Sequence, residues 1–223
     1  MEESKERQFK DALYREFARI GKTLSSGRRL EMIEVLVCGE QTVSELASAT
    51  GLTRANTSQH LQTLKQARLV EGRKDGKQVY YSLADERVYG LWRALREVGE
   101  QQLAEIDRIV DEHMRSREDL EPVGMDELLE RMQEGEAEAI DVRPKEEYRN
   151  GHIAGARSVP VEELATRADD LPSEVEVVAY CRGPFCILSD RAVEILRDVG
   201  IEARRLEEGY PDWKAEGYPI ERV

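Results

Sequence analysis

The fold of the C-terminal half is decided by residues 175–186, which read VEVVAYCRGPFC. The apolar run Val175–Tyr180 predicts a buried strand, and the amphipathic run Ser189–Val199 predicts a helix. Between them, Cys181 opens a short loop that contains glycine and proline. A loop between a strand and a helix directs backbone N–H groups, and the positive end of the helix dipole, at the cysteine sulfur. We therefore expect a reactive thiolate at Cys181.

Around this stretch, predicted strands alternate with predicted helices. The strands are Ala139–Arg143, Val175–Tyr180 and Ala203–Leu206, and the helices are Met125–Met132, Lys145–Arg149, Glu162–Ala168, Ser189–Val199 and Tyr210–Ala215. Such alternation is typical of a parallel sheet with helices on both faces. We expect an α/β domain of this kind.

The length and composition fit a soluble protein of two small domains. Of the 223 residues, 40% are hydrophobic and 35% are charged. No apolar run approaches the roughly 18 residues of a membrane span, and the N-terminus, MEESKERQFK, is unlike a signal peptide. With three cysteines in the chain, a disulfide framework is not expected. These features predict a cytoplasmic protein that does not associate with membranes.

The net charge of −13 is concentrated in the C-terminal half. Residues 1–120 carry 20 basic and 21 acidic side chains, whereas residues 121–223 carry 13 and 25. Within Thr53–Lys77, however, six side chains are basic and two are acidic. A basic segment inside an acidic protein is typical of a nucleic-acid contact, although a solvated helix face would show it too.

The basic segment belongs to a series of short helices. Apolar spacing predicts helices at Phe9–Leu24, Arg28–Cys38, Thr42–Ala49 and Thr53–Ala67. Thr42 and Glu45 have the spacing of a capping box, and Gly51 turns the chain before the last helix. A short helix, a glycine-containing turn and a second helix form the helix-turn-helix pattern.

The helix Thr53–Ala67 has two different faces. Thr57, Leu61 and Leu64 share the side that faces the core. The opposite side carries amides and hydroxyls, which pair with base edges in the major groove; these candidates are Asn56, Gln59, Gln62, Thr63 and Gln66. Arg54, Ser58 and Lys65 flank that side and are candidates for contacts with phosphates.

A hairpin and a long helix follow. Leu69–Lys74 and Gln78–Leu83 predict two strands joined at Asp75-Gly76, and the basic residues at their tip, Arg73, Lys74 and Lys77, would make this hairpin a wing along the DNA backbone. Asp85 begins a helix predicted to reach about Arg117, with an apolar stripe longer than one small domain needs. A homodimer interface would bury the excess.

Two segments carry a family resemblance. Thr57–Val70, which reads TSQHLQTLKQARLV, and Tyr80–Leu83, which reads YYSL, resemble the ArsR-type winged-helix repressors. The resemblance covers about residues 10–115. It implies a homodimer that binds a palindromic operator in double-stranded DNA through two recognition helices.

One departure from that family concerns metals. Its metal-sensing members carry paired cysteines in the helix before the turn, whereas Cys38 stands alone here and is more typical of a small buried residue. The long helix offers Asp107, Asp111, Glu112 and His113, but three or four well-placed ligands are usual for zinc. We expect a solvated helix face, no metal and no cofactor.

Helical periodicity is lost at Ser116–Pro122, which predicts a domain boundary. We assign residues 1–117 to a winged helix-turn-helix domain for DNA binding and dimerisation. Residues 118–124 are assigned to a linker and residues 125–223 to the α/β domain.

The α/β half carries a series of motifs in a fixed order. They are Asp141-Val142-Arg143, Glu147-Tyr148, Gly151-His152-Ile153, Gly155-Ala156, Cys181 after a strand, Glu208-Gly209 with Trp213, and Gly217 with Pro219. Together they resemble a rhodanese domain over about residues 123–221. The resemblance implies that Cys181 is the nucleophile of a sulfurtransferase, which takes sulfane sulfur from thiosulfate, a polysulfide or a low-molecular-weight persulfide and holds it as Cys181–S–SH.

The same resemblance makes Arg182, Gly183, Pro184, Phe185 and Cys186 the rest of the active-site loop. Arg182 adds a cation that would attract an anionic donor such as thiosulfate. Cys186 has two interpretations, a small residue packed at the helix start or a resolving thiol that attacks the Cys181 persulfide. His152, the Asp141–Arg143 pair, Tyr210 and Trp213 are interpreted as structural.

Three functions are compatible with the sequence. The first is a transcriptional repressor whose rhodanese domain captures sulfane sulfur at Cys181 and so senses reactive sulfur or redox state. The second is a working sulfurtransferase that uses the winged helix for targeting or dimerisation. The third is a metal- or redox-responsive repressor acting through Cys38 and the long helix. We favour the first.

Overall fold

The computed structural model describes residues 2–113, 122–172 and 174–223. By internal contacts the chain divides into two compact units, residues 1–93 and 94–223. In the part of the chain that the structure describes, no helix combines the length and apolar character that a membrane crossing requires.

The first unit is a winged helix-turn-helix, as the sequence predicts. Its elements are α1 (Glu2–Leu24), α2 (Gly27–Leu36), β1 (Gln41–Thr42), α3 (Val43–Thr50), α4 (Arg54–Gln66), β2 (Val70–Asp75) and β3 (Gln78–Leu83). A three-stranded antiparallel sheet has the order β1-β3-β2. Tyr80 of the central strand pairs with Thr42 of β1 on one side and with Arg73 of β2 on the other. Met32, Ile33, Leu46, Leu61 and Leu64 form the fully buried centre of its core.

Local signals in the sequence explain the helix boundaries of this unit. The Thr42 side chain accepts a hydrogen bond from the backbone of Glu45, and the Glu45 carboxylate accepts one from the backbone of Thr42, so the predicted capping box is confirmed. Gly51 ends α3 with φ +64°, a backbone conformation that favours glycine. Thr53 then caps α4 by accepting from the backbone of Asn56.

Helix α5 (Arg87–Gln102) begins in the first unit and ends in the second, and α6 (Ala104–His113) follows it. The prediction of one helix from Asp85 to Arg117 is wrong on this point, because the helical pattern is interrupted at Leu103. Gly99 lies close to α6 near this interruption, since a Cβ there would lie 3.1 Å from the Ile106 side chain. The predicted residues 114–117 lie outside the described residues.

The second unit contains a parallel α/β sheet, which confirms the predicted fold class. Its further elements are β4 (Pro122–Val123), α7 (Met125–Glu134), β5 (Ala137–Asp141), α8 (Lys145–Asn150), β6 (His152–Ile153), β7 (Arg157–Ser158), α9 (Val161–Arg167), a 3₁₀ turn (Ala168–Asp170), β8 (Glu176–Tyr180), α10 (Ile187–Asp198), β9 (Ala203–Leu206), α11 (Tyr210–Ala215) and β10 (Ile220–Glu221). The five-stranded sheet has the order β4-β9-β8-β5-β7, with every pair parallel. Strands β6 and β10 form a separate antiparallel pair.

Several boundaries differ from the sequence-based expectation; α1, for example, begins at Glu2 instead of Phe9, and α10 begins at Ile187 instead of Ser189. The strand expected at Ala139–Arg143 spans Ala137–Asp141, so it begins and ends two residues earlier than predicted. Pro122 and Val123, which fall in the predicted linker, pair with Arg205 and Leu206 as an edge strand of the sheet. The rest of that linker, residues 118–121, lies outside the described residues, and the domain boundary stays a prediction.

Candidate functional site

Cys181 lies at the carboxyl end of β8, the central strand of the parallel sheet. In open α/β sheets, ligands bind outside the carboxyl ends of the strands. The Cys181 side chain is 1% exposed and belongs to the apolar core of the unit. Its position is therefore that of a sulfur atom shielded from bulk water at the edge of a binding region.

The loop after Cys181 leads directly into α10, as the sequence predicts. Cys186 is the N-cap residue of this 12-residue helix, and its backbone N–H donates to the Gly183 carbonyl at 3.1 Å. The Ser189 hydroxyl donates back to the Cys186 carbonyl at 3.1 Å. The positive end of the α10 dipole thus begins within the loop, where it favours a thiolate or a persulfide anion.

The loop brings its two cysteines together. The structure joins the sulfurs of Cys181 and Cys186 as a disulfide, with Cα atoms 6.2 Å apart, a span usual for such a bond. Cys186 is half-buried and also packs against the apolar core. The geometry accordingly suits a pair of thiols that can react with each other.

The start of helix α11 packs against the cysteine loop through Gly209 and Tyr210. A Cβ on Gly209 would collide with the backbone of Arg182 and Gly183, so only glycine fits this approach. The next residue, Tyr210, donates its backbone N–H to the Cys181 carbonyl at 2.9 Å. The sequence motif Glu208-Gly209 was noted only as a family mark, and its physical reason is this close contact.

Arg182, the residue that the sequence predicts to attract an anionic donor, is paired with Glu147. Its guanidinium donates to both carboxylate oxygens of Glu147, with Nε at 3.0 Å from Oε2 and Nη2 at 2.5 Å from Oε1. The Glu147 side chain is only 4% exposed. A buried carboxylate with two charge-assisted bonds balances the charge of Arg182 within the fold.

The residues that the sequence assigns to structural roles are buried. Arg143 and Asp141 are both 0% exposed and form a bidentate pair, with Nε–Oδ1 at 2.9 Å and Nη2–Oδ2 at 2.5 Å. His152 contacts the Tyr148 carbonyl through Nδ1 at 2.9 Å. Trp213 donates its indole N–H to the Pro219 carbonyl at 2.9 Å.

A buried ion pair that sequence reasoning missed joins α5 to α11. The Arg96 guanidinium donates to both carboxylate oxygens of Asp212, at 3.0 and 3.5 Å, and their side chains are 9% and 3% exposed. Asp212 lies in the first turn of α11, two residues after Tyr210. No motif in the sequence signals this pair, because the two residues are 116 positions apart.

Beside the loop lies a cavity of about 480 Å³. Pro184 and Phe185 of the loop form one wall, and residues of α5 and α6 form another. Among the residues that the structure describes, its charged lining consists of one guanidinium and five carboxylates, which are Arg96, Glu100, Asp107, Asp111, Glu207 and Glu208. Burial, followed by the charges of Glu207 and Asp212, raises the pKa of Glu208.

The candidate DNA-binding surface lies on α4 and the wing. Thr57, Leu61 and Leu64 are fully buried, so the predicted inward face is confirmed. Among the predicted base and phosphate contacts, the exposed ones are Arg54, Asn56, Gln59, Gln62, Lys65, Gln66, Arg73, Lys74 and Lys77, and the half-buried ones are Ser58 and Thr63. Burial, and then Arg29 and Arg28, lower the pKa of His60, which keeps this helix residue neutral at physiological pH.

Arg73 of the wing is already engaged within the first unit. It bonds to Glu40 at 2.7 Å and to Asp75 at 3.1 Å, and it lies 5.3 Å from the centre of the Tyr80 ring. The hydrogen bond from Arg73 lowers the pKa of the Glu40 carboxyl. A phosphate contact by Arg73 would have to compete with these carboxylates, whereas Lys74 and Lys77 are exposed at the turn.

Apolar side chains are exposed on two helices. On α1 they are Phe9, Leu13, Tyr14 and Phe17, and on α5 they are Leu91, Leu95 and Val98. Their exposed fractions reach 66% at Tyr14. Large exposed apolar surfaces mark interaction sites in soluble proteins.

The residues weighed as metal ligands do not converge. Within residues 2–113, 122–172 and 174–223, no group of three or more histidine, cysteine, aspartate and glutamate side chains is arranged to hold a metal ion. Cys38 is 1% exposed, and its Sγ contacts the Glu34 carbonyl at 3.7 Å. The expected absence of a metal stays a prediction.

A winged helix-turn-helix followed by a parallel sheet with a cysteine loop defines a class of two-part proteins, in which a DNA-reading unit is fused to a sulfurtransferase-like one. Comparison with known proteins agrees. Residues 26–72 match the family described as "Bacterial regulatory protein, arsR family", and residues 124–216 match the "Rhodanese-like domain".

The chain is 41% identical over 212 residues to the HTH-type transcriptional regulator Rv0324 of Mycobacterium tuberculosis, covering 95% of this chain and 93% of that protein. It therefore belongs to the arsR family of HTH-type transcriptional regulators, with a rhodanese-like domain in its C-terminal half. It is a DNA-binding transcriptional regulator.

Partial relatives match one half or the other. The HTH-type transcriptional regulator CmtR of Mycobacterium bovis is 40% identical over 81 residues, which are 36% of this chain and 66% of that protein. A solution structure of the homodimeric winged helix-turn-helix domain of Mb0332 from Mycobacterium bovis is 40% identical and covers 42% of this chain and 87% of its own, with a TM-score of 0.40. A rhodanese-related protein from Thermoplasma volcanium is 27% identical and covers 45% of this chain and 96% of its own, with a TM-score of 0.41.

Proposed function

We propose that the protein is a transcriptional repressor that senses reactive sulfur through Cys181 and Cys186. The protein is cytoplasmic and homodimeric, with α4 of each protomer in the major groove of an operator half-site and the wing beside the DNA backbone. The exposed apolar faces of α1 and α5 supply the dimer interface. Sulfur chemistry at the loop changes the affinity for the operator.

The chemistry proceeds in two steps. The Cys181 thiolate attacks the outer sulfur of a persulfide R–S–SH; the donor S–S bond breaks, RS⁻ leaves, and Cys181–S–SH forms. The Cys186 thiolate then attacks the Cys181 Sγ; the Cys181–Cys186 disulfide forms and HS⁻ leaves. The two thiols lose two electrons, which reduce the sulfane sulfur to sulfide. The proximity of the two cysteines and the α10 dipole support both steps.

The observation that carries the proposal is the path from the loop to α5. The Cys181 carbonyl accepts from Tyr210, Tyr210 begins the helix that contains Asp212, and Asp212 is paired with Arg96 of α5. Helix α5 starts in the first unit, where Val88 is buried in the core. A change in the loop that moves α11 would therefore act on a helix shared with the DNA-reading unit.

Operator binding tests the proposal. We expect the reduced protein to bind a DNA fragment from its own promoter region, measured by fluorescence anisotropy, and expect polysulfide treatment to change the Kd by about tenfold, the size of a typical allosteric effect. The Cys181→Ser variant should bind DNA but no longer respond. An equal response in wild type and Cys181→Ser would refute sensing at this cysteine.

A double variant of the Arg96–Asp212 pair tests whether α5 carries the signal, without unfolding the protein. Replacing Arg96 by methionine and Asp212 by leucine together removes the ion pair without leaving one buried charge. If α5 carries the signal, this double variant still forms the Cys181–Cys186 disulfide, seen by intact mass, but its Kd for DNA changes less than twofold on oxidation. A full response would exclude this path.

A second candidate function is catalytic sulfur transfer. The position of Cys181 after the central strand and before a helix N-terminus favours it. Steady turnover of thiosulfate and cyanide to thiocyanate, lost in Cys181→Ser, would support a working enzyme with the winged helix for targeting or dimerisation. A single modification without turnover would support the sensor instead.

A further inference from the structure

We propose that the cavity beside the Cys181 loop selects uncharged organic polysulfanes and disfavours dianionic donors such as thiosulfate. This inference rests on the proposed sulfur chemistry of Cys181 and narrows it to one class of donor. Three features of the second unit support it: the predominantly negative charge of the described residues that line the cavity, the pairing of the guanidiniums near the loop with carboxylates, and apolar walls that suit alkyl groups.

The charges that line the cavity are predominantly negative. Within the described part of the chain, five carboxylates and one guanidinium line it. Three of the carboxylates, those of Asp107, Asp111 and Glu207, are exposed to solvent around it. A cleft lined by one sign of charge lowers the local concentration of ligands of the same sign and slows their association.

The cations nearest the loop are balanced by carboxylates of the protein. Arg96 is bidentate to Asp212 and has its Nε 3.7 Å from Glu100. Arg182 is bidentate to Glu147. An anionic donor would compete with these buried carboxylates for the two guanidiniums, and displacing a carboxylate would leave a buried charge without its partner.

The remaining walls of the cavity are apolar. Ile106 and Val110 of α6 face it from one side, and Pro184 and Phe185 of the loop from the other. Phe185 is 39% exposed, which is high for an aromatic side chain next to a buried cysteine. Alkyl groups of a donor would bury apolar surface here.

An organic trisulfide R–S–S–S–R reacts with the loop in balanced steps. The Cys181 thiolate attacks the central sulfur, one S–S bond of the donor breaks, RS⁻ leaves, and the mixed trisulfide Cys181–S–S–S–R forms, in which the first sulfur is the Cys181 Sγ. The Cys186 thiolate attacks the Cys181 Sγ, RSS⁻ leaves, and the disulfide forms. The two thiols are oxidised by two electrons, and the trisulfide is reduced.

The test uses three trisulfides of similar size and different charge: bis(2-carboxyethyl), diethyl and bis(2-aminoethyl) trisulfide. Full-length protein is reduced with a phosphine, freed of it, and mixed with each probe without oxygen. After quenching with iodoacetamide, intact mass gives the rate at Cys181, and each rate is divided by the rate of the same probe with free cysteine. We expect the normalised rate of the dianionic probe to be about tenfold lower than that of the diethyl probe at about 0.02 M salt.

Salt and charge variants show whether electrostatics causes the difference. Raising the salt to about 0.5 M should reduce the tenfold gap to about threefold. The double variant Asp107→Asn, Asp111→Asn should raise the rate of the dianionic probe by about threefold and leave the diethyl probe unchanged. The control Glu105→Gln, Glu112→Gln neutralises two exposed carboxylates of the same helix that do not line the cavity, and it should change neither rate by as much.

The possible results separate the two proposals. Equal normalised rates for all three probes, independent of salt, would overturn the selectivity and leave the sulfur-sensing function intact. Failure of every probe to modify Cys181 in the reduced protein would overturn both. A charge preference that the control variant abolishes as strongly as the cavity variant would show a general surface effect and overturn the role of the cavity.

Discussion

The recognition helix and the cysteine loop differ in where their functional side chains lie, on the surface in the first and in the interior in the second. The candidate side chains of α4 lie exposed or half-buried on one face, while Leu61 and Leu64 hold the other face in the core. In the loop, the reactive atom itself is buried, and its neighbours Arg182, Gly209 and Tyr210 are fixed by close contacts. A surface that binds a polymer can change residue by residue, whereas a buried reactive site depends on the packing of its whole unit.

The largest expected effect is on the stability of the second unit. Arg143→Ala leaves Asp141 as a buried carboxylate without its main partner, and we expect the free energy of unfolding to fall by about 3–5 kcal/mol. Urea unfolding in a Trp92→Phe background measures it, because Trp213 then reports the second unit. Lys145→Ala, which breaks an exposed pair with Glu163, serves as control and should cost less than about 1 kcal/mol.

The next largest effect on stability is expected at Gly209, which contacts the backbone of the cysteine loop. Gly209→Ala places a methyl group against the backbone of Arg182 and Gly183, and we expect a loss of about 2–3 kcal/mol in stability together with a changed rate of Cys181 modification. The matched variant Gly124→Ala meets no atom within 4 Å. If both variants behaved like wild type, the close approach of α11 to the loop would be wrong.

A substitution on α4 should leave stability almost unchanged and act on DNA binding. Gln62→Ala removes an exposed amide from the candidate base-reading face, so we expect a loss of about 1–2 kcal/mol in binding to the operator and a stability change below about 0.5 kcal/mol. Anisotropy with operator and unrelated DNA measures it. Gln133→Ala, an exposed glutamine on α7, should change neither quantity; a similar loss in that variant would break the comparison.

The smallest effect is expected at the tip of the wing. Arg73→Ala gives up a phosphate contact but also its ion pair with Glu40, so we expect affinity to fall by less than tenfold for all DNA sequences alike. The dependence of log K on log salt should lose about one unit of slope. A loss confined to one operator sequence would indicate base recognition by Arg73 instead.

The sequence predicted most of the first unit, because its signals are local. The Thr42–Glu45 capping box, the Asp75-Gly76 turn and the apolar spacing of α4 each act over a few residues. The break at Leu103 was not predicted, because the apolar pattern continues through it. In the structure, the Ile106 side chain of α6 lies close to Gly99 of α5.

In the second unit, the sequence predicted that Cys181 lies between a buried strand and a helix, and it identified the motifs around this loop. It could not predict that Arg182 is balanced by Glu147 or that Arg96 reaches Asp212, because pairs 35 and 116 residues apart depend on tertiary packing. For the same reason, the sequence could not predict the acidic cavity, because its carboxylates come from segments that are far apart in the chain.

The short strand β1 has a consequence for building chimeras of this family. Thr42 caps α3 and at the same time pairs with Tyr80 in the wing. A graft that exchanged only α3 and α4 for those of a relative would keep Thr42 against the original wing but place a foreign helix, and a foreign residue at position 45, behind this cap. New operator specificity should therefore be transferred with Gln41–Leu83 as one cassette, the segment within which every contact of this ladder is made.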